Sequence, residues 1–100
     1  MNIAEIVGKN LRYARKANGL TQKELRENKK LTQKQLADEM NKYQSDYSEY
    51  ERGRVQLDYE KIVFLCDRLD ITPNDLFGYD EWAPERAENR LKDDKSKQRP

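Results

Sequence analysis

The chain has one cysteine, Cys66, and no histidine, which removes most of the chemistry open to a small protein. Cys/His zinc sites, histidine-based acid–base catalysis and disulfide frameworks all need residues that are missing. The glycines Gly8, Gly19, Gly53 and Gly78 stand singly and form no phosphate-cradling loop. Carboxylates alone remain as a catalytic resource. The expectation is a protein that binds rather than one that turns over a substrate, with no cofactor and no metal. Cys66 reads as a small core thiol.

Charge points to binding once it is counted by position. Residues 1–34 carry nine Lys/Arg against three Asp/Glu, residues 35–81 carry five against twelve, and residues 82–100 carry six against four. The net charge of +1 therefore hides a basic first third and an acidic middle. Either two faces attract each other, or one of them meets a partner.

The elements that must position these charges are helical. Ile3, Ile6, Val7, Leu11 and Ala14 follow three-and-four spacing, predicting a helix over 3–18 closed at Asn18-Gly19. Thr21 and Thr32 each resemble an N-cap. An apolar stripe continues through Leu36 and Met40 to a break at Asn41-Lys42. A short helix over 44–51 turns Tyr47 and Tyr50 inward and stops at Gly53. Asp58 caps a helix facing inward with Ile62, Leu65, Cys66 and Leu69, and Thr72-Pro73 opens a last one carrying Leu76 and Phe77 up to Gly78. Leu36, Met40, Tyr47, Ile62, Leu65, Leu69 and Leu76 are the expected core. No alternating strand pattern occurs, so the class is all-α with about five helices.

At this length one domain over 1–82 is expected, followed by a charged tail over 83–100 whose only sizeable apolar residue is Leu91. Such a tail buries too little to offset its ordering entropy. No apolar run approaches the ~20 residues that cross a bilayer, and Met1-Asn2-Ile3 does not begin a secretion signal. A soluble, cytoplasmic protein away from the membrane is expected.

Residues 31–78, from Leu31-Thr32-Gln33 and Leu36-Ala37 through Tyr50-Glu51-Arg52-Gly53 to Leu65, Leu69, Ile71 and Leu76-Phe77, resemble the lambda-repressor-like, or XRE, helix-turn-helix family. Val7 to Gln22, with Leu11, Arg12 and Arg15, is similar to that family's first helix. The resemblance implies a five-helix bundle whose first motif helix crosses the phosphate backbone and whose second enters the major groove of double-stranded DNA. It implies DNA contacts by Gln33, Lys42, Gln44, Ser45, Ser48, Glu49, Arg52 and Arg54. Gln44 would pair an adenine edge and Glu49 a cytosine amino group, with Arg52 and Arg54 reaching phosphates. It also implies a buried ion pair from Glu51 to Arg15 or Arg26. This chain departs from the pattern at Lys42 and Tyr43, and Asp46 and Glu49 bring negative charge to a helix that approaches phosphates.

One phrase occurs twice: Leu20-Thr21-Gln22-Lys23 and, eleven residues on, Leu31-Thr32-Gln33-Lys34. Eleven residues turn a helix through close to three full turns. With no Gly or Pro and many helix formers between, the first expectation is one long helix over 21–40. That helix would carry the first helix away, and its apolar face would find a home on a second chain, giving an intertwined, domain-swapped homodimer. A second reading breaks at Asn28–Lys30 and extrudes 23–29 as a polar excursion. A third uses 21–30 as the first helix of the bundle.

The function expected is a sequence-specific DNA-binding regulator, a repressor acting as a dimer. The alternative is a protein-interaction module, an antitoxin or immunity-type factor whose tail engages a partner protein.

Overall fold

The computed structural model describes residues 2–79. The expected end of the domain at residue 82 and the tail over 83–100 lie outside them. Among the described residues there are six helices and no strand: α1 Ile3–Ala17, α2 Gln22–Arg26, α3 Gln33–Glu39, α4 Gln44–Glu51, α5 Tyr59–Leu69 and α6 Pro73–Phe77. The all-α class holds, with one helix more than expected.

α1 begins where Asn2 and Glu5 cap each other reciprocally, the Glu5 N–H donating to Asn2 Oδ1 at 2.9 Å and the Asn2 N–H to Glu5 Oε1 at 3.1 Å. Its spacing buries Val7, Leu11 and Ala14, and the helix packs on α4 and α6. The crossing with α4 is close. A Cβ at Gly8 would sit 2.6 Å from the carbonyl oxygens of Tyr50 and Glu51, so only glycine lets the two backbones approach this far.

The two copies of the repeated phrase fold alike locally and differ in what they bury. Thr21 with Glu24, and Thr32 with Gln35, each form a capping box. Each short helix then ends on an asparagine in the left-handed region, Asn28 at φ 61° and Asn41 at φ 56°. In each, the two residues at the stop bond back in the same pattern: Asn28 to Leu25 and Lys29 to Glu24, Asn41 to Asp38 and Lys42 to Ala37. This is a Schellman stop, for which asparagine is the usual substitute for glycine.

The expected continuous helix over 21–40 is therefore corrected: Asn28 breaks it and residues 27–32 are non-helical. The second reading, a break followed by a polar excursion, describes the chain. Packing explains why the second copy enters the bundle. In the eleven-residue register Leu25-Arg26 corresponds to Leu36-Ala37, and both Leu36 and Ala37 are completely buried. Arg26 in that place would be an unpaired buried charge costing several kcal/mol. Leu25 is accordingly left 57% exposed, and α2 buries nothing.

α3 packs on α4, and α5 on α6. The core gathers Leu11, Leu31, Leu36, Tyr47, Leu65, Leu69 and Leu76, none more than 2% exposed, with Cys66 also buried. Tyr47 and Tyr50 meet edge to face at 6.2 Å between ring centres. Met40 and Ile62, expected inside, are only partly buried against this cluster.

Candidate nucleic-acid interface

α3, the turn over 40–43 and α4 form the two-helix motif, and one buried carboxylate ties it to α1. Glu51, 8% exposed at the end of α4, accepts four hydrogen bonds. Oε2 takes Arg15 Nε at 2.7 Å and the Tyr47 hydroxyl at 2.7 Å; Oε1 takes Arg15 Nη2 at 3.1 Å and Gln33 Nε2 at 2.9 Å. The remaining Arg15 nitrogen, Nη1, donates to the Leu31 carbonyl at 3.0 Å. Arg15 is thus the partner of Glu51, and Arg26 stays exposed on α2.

Burial by itself would raise the Glu51 carboxyl, but hydrogen bonds from Arg15, Gln33 and Tyr47 outweigh it and hold the group below the usual carboxylate range. The hydrogen bond to Glu51 raises Arg15 in turn, and burial, followed by the Glu51 charge, pushes the Tyr47 phenol up. The pair is therefore ionised at neutral pH, and it fixes the start of α3 and the end of α4 against α1.

Above this pair opens a cleft of about 250 Å³ lined by Arg12, Arg15, Gln33, Ser48, Glu51 and Arg52. Of the residues expected at DNA, the structure brings Gln33, Ser48 and Arg52 together here. Gln33 spends one amide N–H on Glu51, which orients the rest of the carboxamide. Arg12 joins them, exposed on α1. It was not among the expected contacts, although its position one turn before Arg15 was a signal. An anion in this cleft would meet the exposed Arg12 and Arg52 guanidinium groups, a hydroxyl and an amide, while Arg15 is committed to the Glu51 carboxylate that shares the lining.

Gln44 and Ser45 are exposed on the first turn of α4, whose N-cap, Tyr43, makes no side-chain capping bond and is 80% exposed. Glu49 does not stand free: Arg52 lies 3.9 Å and Arg54 3.7 Å from its carboxylate. The Glu49 charge is thus offset by two basic neighbours, whereas Asp46, in the first turn of α4, has no such pair among the described residues. Lys42 lies apart from the cleft, its ammonium 5.7 Å from the centre of the Tyr50 ring.

A family model described as a helix-turn-helix domain matches residues 23–80, more than half the sequence, and the chain belongs to that family. The match begins inside α2, so α1, which completes the bundle, lies outside it. No curated protein and no solved structure matches the chain. No helix among the described residues is long and apolar enough to cross a membrane.

Proposed function

We propose that the protein is a DNA-binding transcriptional regulator that lays α4 in the major groove and seats a backbone phosphate in the cleft beneath it. The observation that carries this reading is the convergence of Arg12, Gln33, Ser48 and Arg52 beside the exposed first turn of α4. Phosphate contacts set register, and side chains on the groove-facing helix read base edges. Gln44 and Ser45 are the base readers in this account, Arg12 and Arg52 the phosphate ligands, and Gln33 an amide held in place by Glu51. Glu49 acts first as the partner of Arg52 and Arg54. Repression follows if the occupied site overlaps a promoter.

A homodimer on a partly palindromic site belongs to the same reading, supported by the exposed Tyr59, Val63 and Phe64 along α5. Of the two arrangements the side-by-side dimer is the one proposed here, a reading supported by the packing of α1 on α4 and α6 within one chain and by the break at Asn28 in the helix expected to carry α1 away. Light scattering should give twice the 11.9 kDa chain mass, unchanged on deletion of residues 20–30. A dimer that dissociates on that deletion would restore the intertwined account.

The test of DNA binding is fluorescence anisotropy with a mixed-sequence duplex, followed by selection from a randomised one. Binding should weaken steeply with salt, and R12Q/R52Q should lower the slope of log K against log salt by about 2, at ~0.9 per contact. Salt-independent binding, or none, would refute the reading.

A further inference from the structure

Beyond Leu20, which packs against the core, the excursion over 21–30 buries nothing in the bundle, yet it is locally well built. Its base is pinned: Arg68 Nη1 donates to the Gly19 carbonyl at 2.8 Å while the same guanidinium holds Glu39 at 2.7 Å, and a Cβ at Gly19 would fall 2.9 Å from Leu31 Cδ2. The chain leaves and returns at one place, and α2 is folded between a capping box and an asparagine stop.

Its charges are sorted. The segment holds four cations, Lys23, Arg26, Lys29 and Lys30, and two carboxylates, Glu24 and Glu27. Both carboxylates are engaged within the protein. Glu24 accepts the Thr21 N–H at 2.9 Å and is held low by that bond, with the charges of Lys29 and Arg68 adding to it. Glu27 pairs with Lys29 at 3.7 Å. Lys23 and Arg26 share one face of α2 at three-residue spacing. With Lys30 they are exposed and make no ion pair among the described residues.

The position matters as much as the charge. Lys30 precedes Leu31, whose carbonyl is bonded to Arg15, and Gln33 of the phosphate cleft follows three residues after Lys30. At ~3.5 Å per residue, the excursion begins within about 10 Å of the cleft. Phosphates follow one another every ~3.4 Å of axis along each DNA strand, so a strand seated on the cleft presents further phosphates on either side of it, and this segment flanks one side.

We infer that the excursion is a second phosphate-binding element, in which Lys23, Arg26 and Lys30 extend the backbone footprint of the helix-turn-helix along the DNA. This rests on the proposed DNA binding and adds to it a contact surface outside the two-helix motif. Because the contacts are to the backbone, they raise affinity for all sequences alike and add nothing to base discrimination.

The experiment compares the full chain with K23Q/R26Q/K30Q, using anisotropy on a mixed-sequence duplex of about three helical turns across a salt series. R12Q/R52Q serves as the reference for the cleft, and far-UV circular dichroism verifies that each variant is folded. These glutamines lie on an exposed helix face and in a loop, away from the core. If all three cations contact phosphates, the salt slope falls by about 2.7, and the affinity lost between about 50 and 200 mM salt shrinks by about 40-fold. An unchanged slope in K23Q/R26Q/K30Q, with a reduced one in R12Q/R52Q, would overturn the excursion's role alone and leave its basic face to an acidic protein partner. Failure of the parent chain to bind at all would overturn the DNA reading and this inference with it.

Discussion

Replacing Arg15 by methionine tests whether the buried pair organises the motif. The side chains of Arg15 and Glu51 are 11% and 2% exposed. Removing the arginine leaves a carboxylate in the interior with only Gln33 and Tyr47 as donors, and breaking one side of such a pair costs about 3–5 kcal/mol. The informative comparison is R15M/E51L, in which the stranded charge is gone. What remains uncompensated is mainly the buried Tyr47 hydroxyl, worth about 1–3 kcal/mol. The second substitution should therefore restore about 2 kcal/mol to R15M, although it removes the two hydrogen bonds that Gln33 and Tyr47 still make to Glu51. In urea, with a slope of about 1 kcal/mol per M for a domain of this size, the midpoint should fall in R15M and rise again by about 2 M in R15M/E51L. R15M should also regain stability as pH falls. Without Arg15, burial outweighs the two remaining donors and the Glu51 carboxyl lies above its unfolded value, so its penalty is relieved by protonation. Further loss of stability on adding E51L, or a cost below about 1 kcal/mol for R15M, would refute the argument that this pair is buried and mutually dependent.

The same pair sets the acid limit of the parent protein. The folded Glu51 carboxyl lies below its unfolded value, so its contribution is complete above the unfolded range and is lost as pH falls through the folded one. E51Q should flatten that acid limb in thermal melts. Gly8→Ala should cost about 1–3 kcal/mol by forcing α1 off the α4 carbonyls, seen as a lower melting temperature with helix content retained. Asn28→Ala should cost about 1 kcal/mol because alanine tolerates the left-handed region poorly, whereas Asn28→Gly should be near neutral. A more helical, more stable Asn28→Ala protein would show that a continuous second helix is within reach. Cys66, buried and with its thiol pushed up by burial, should react with a thiol reagent only as fast as the protein opens, and the rate should rise with urea.

Most helix boundaries were legible because each had a local cause on view. Threonine or aspartate at Thr32, Asp58 and Thr72 caps a helix, Gly53 and Gly78 follow one, and the three-and-four spacing of α1 and α5 chose their buried faces. The break between the two copies is not legible in the sequence because helix propensity favours continuity and the stop there is an asparagine, whose left-handed preference is weaker than glycine's. Asn41, the same device at the end of α3, is legible because the apolar stripe lapses beside it. The contrast that decides which copy is buried, Arg26 against Ala37, is also written in the residues, but it has force only when the Ala37 site is known to be closed. In the candidate site, Gln33, Ser48 and Arg52 could be named from the motif. Arg12 is joined to them only once the crossing of α1 on α4 is known, at Gly8 and at the Arg15–Glu51 pair, although its place one turn before Arg15 hints at it. The direction of the Lys42 side chain, over Tyr50 and apart from the cleft, is settled by packing rather than by position in the turn, so it is not legible in the sequence.

The most direct test of the central claim is a backbone amide NMR titration of the full chain with a mixed-sequence DNA duplex at low salt. The account predicts the largest shifts at Gln33, Gln44, Ser45 and Ser48, together with Arg12 and Arg52, while the α5 amides change little. Shifts confined to α5 and α6, or an unperturbed spectrum, would contradict a DNA-binding surface on α3 and α4.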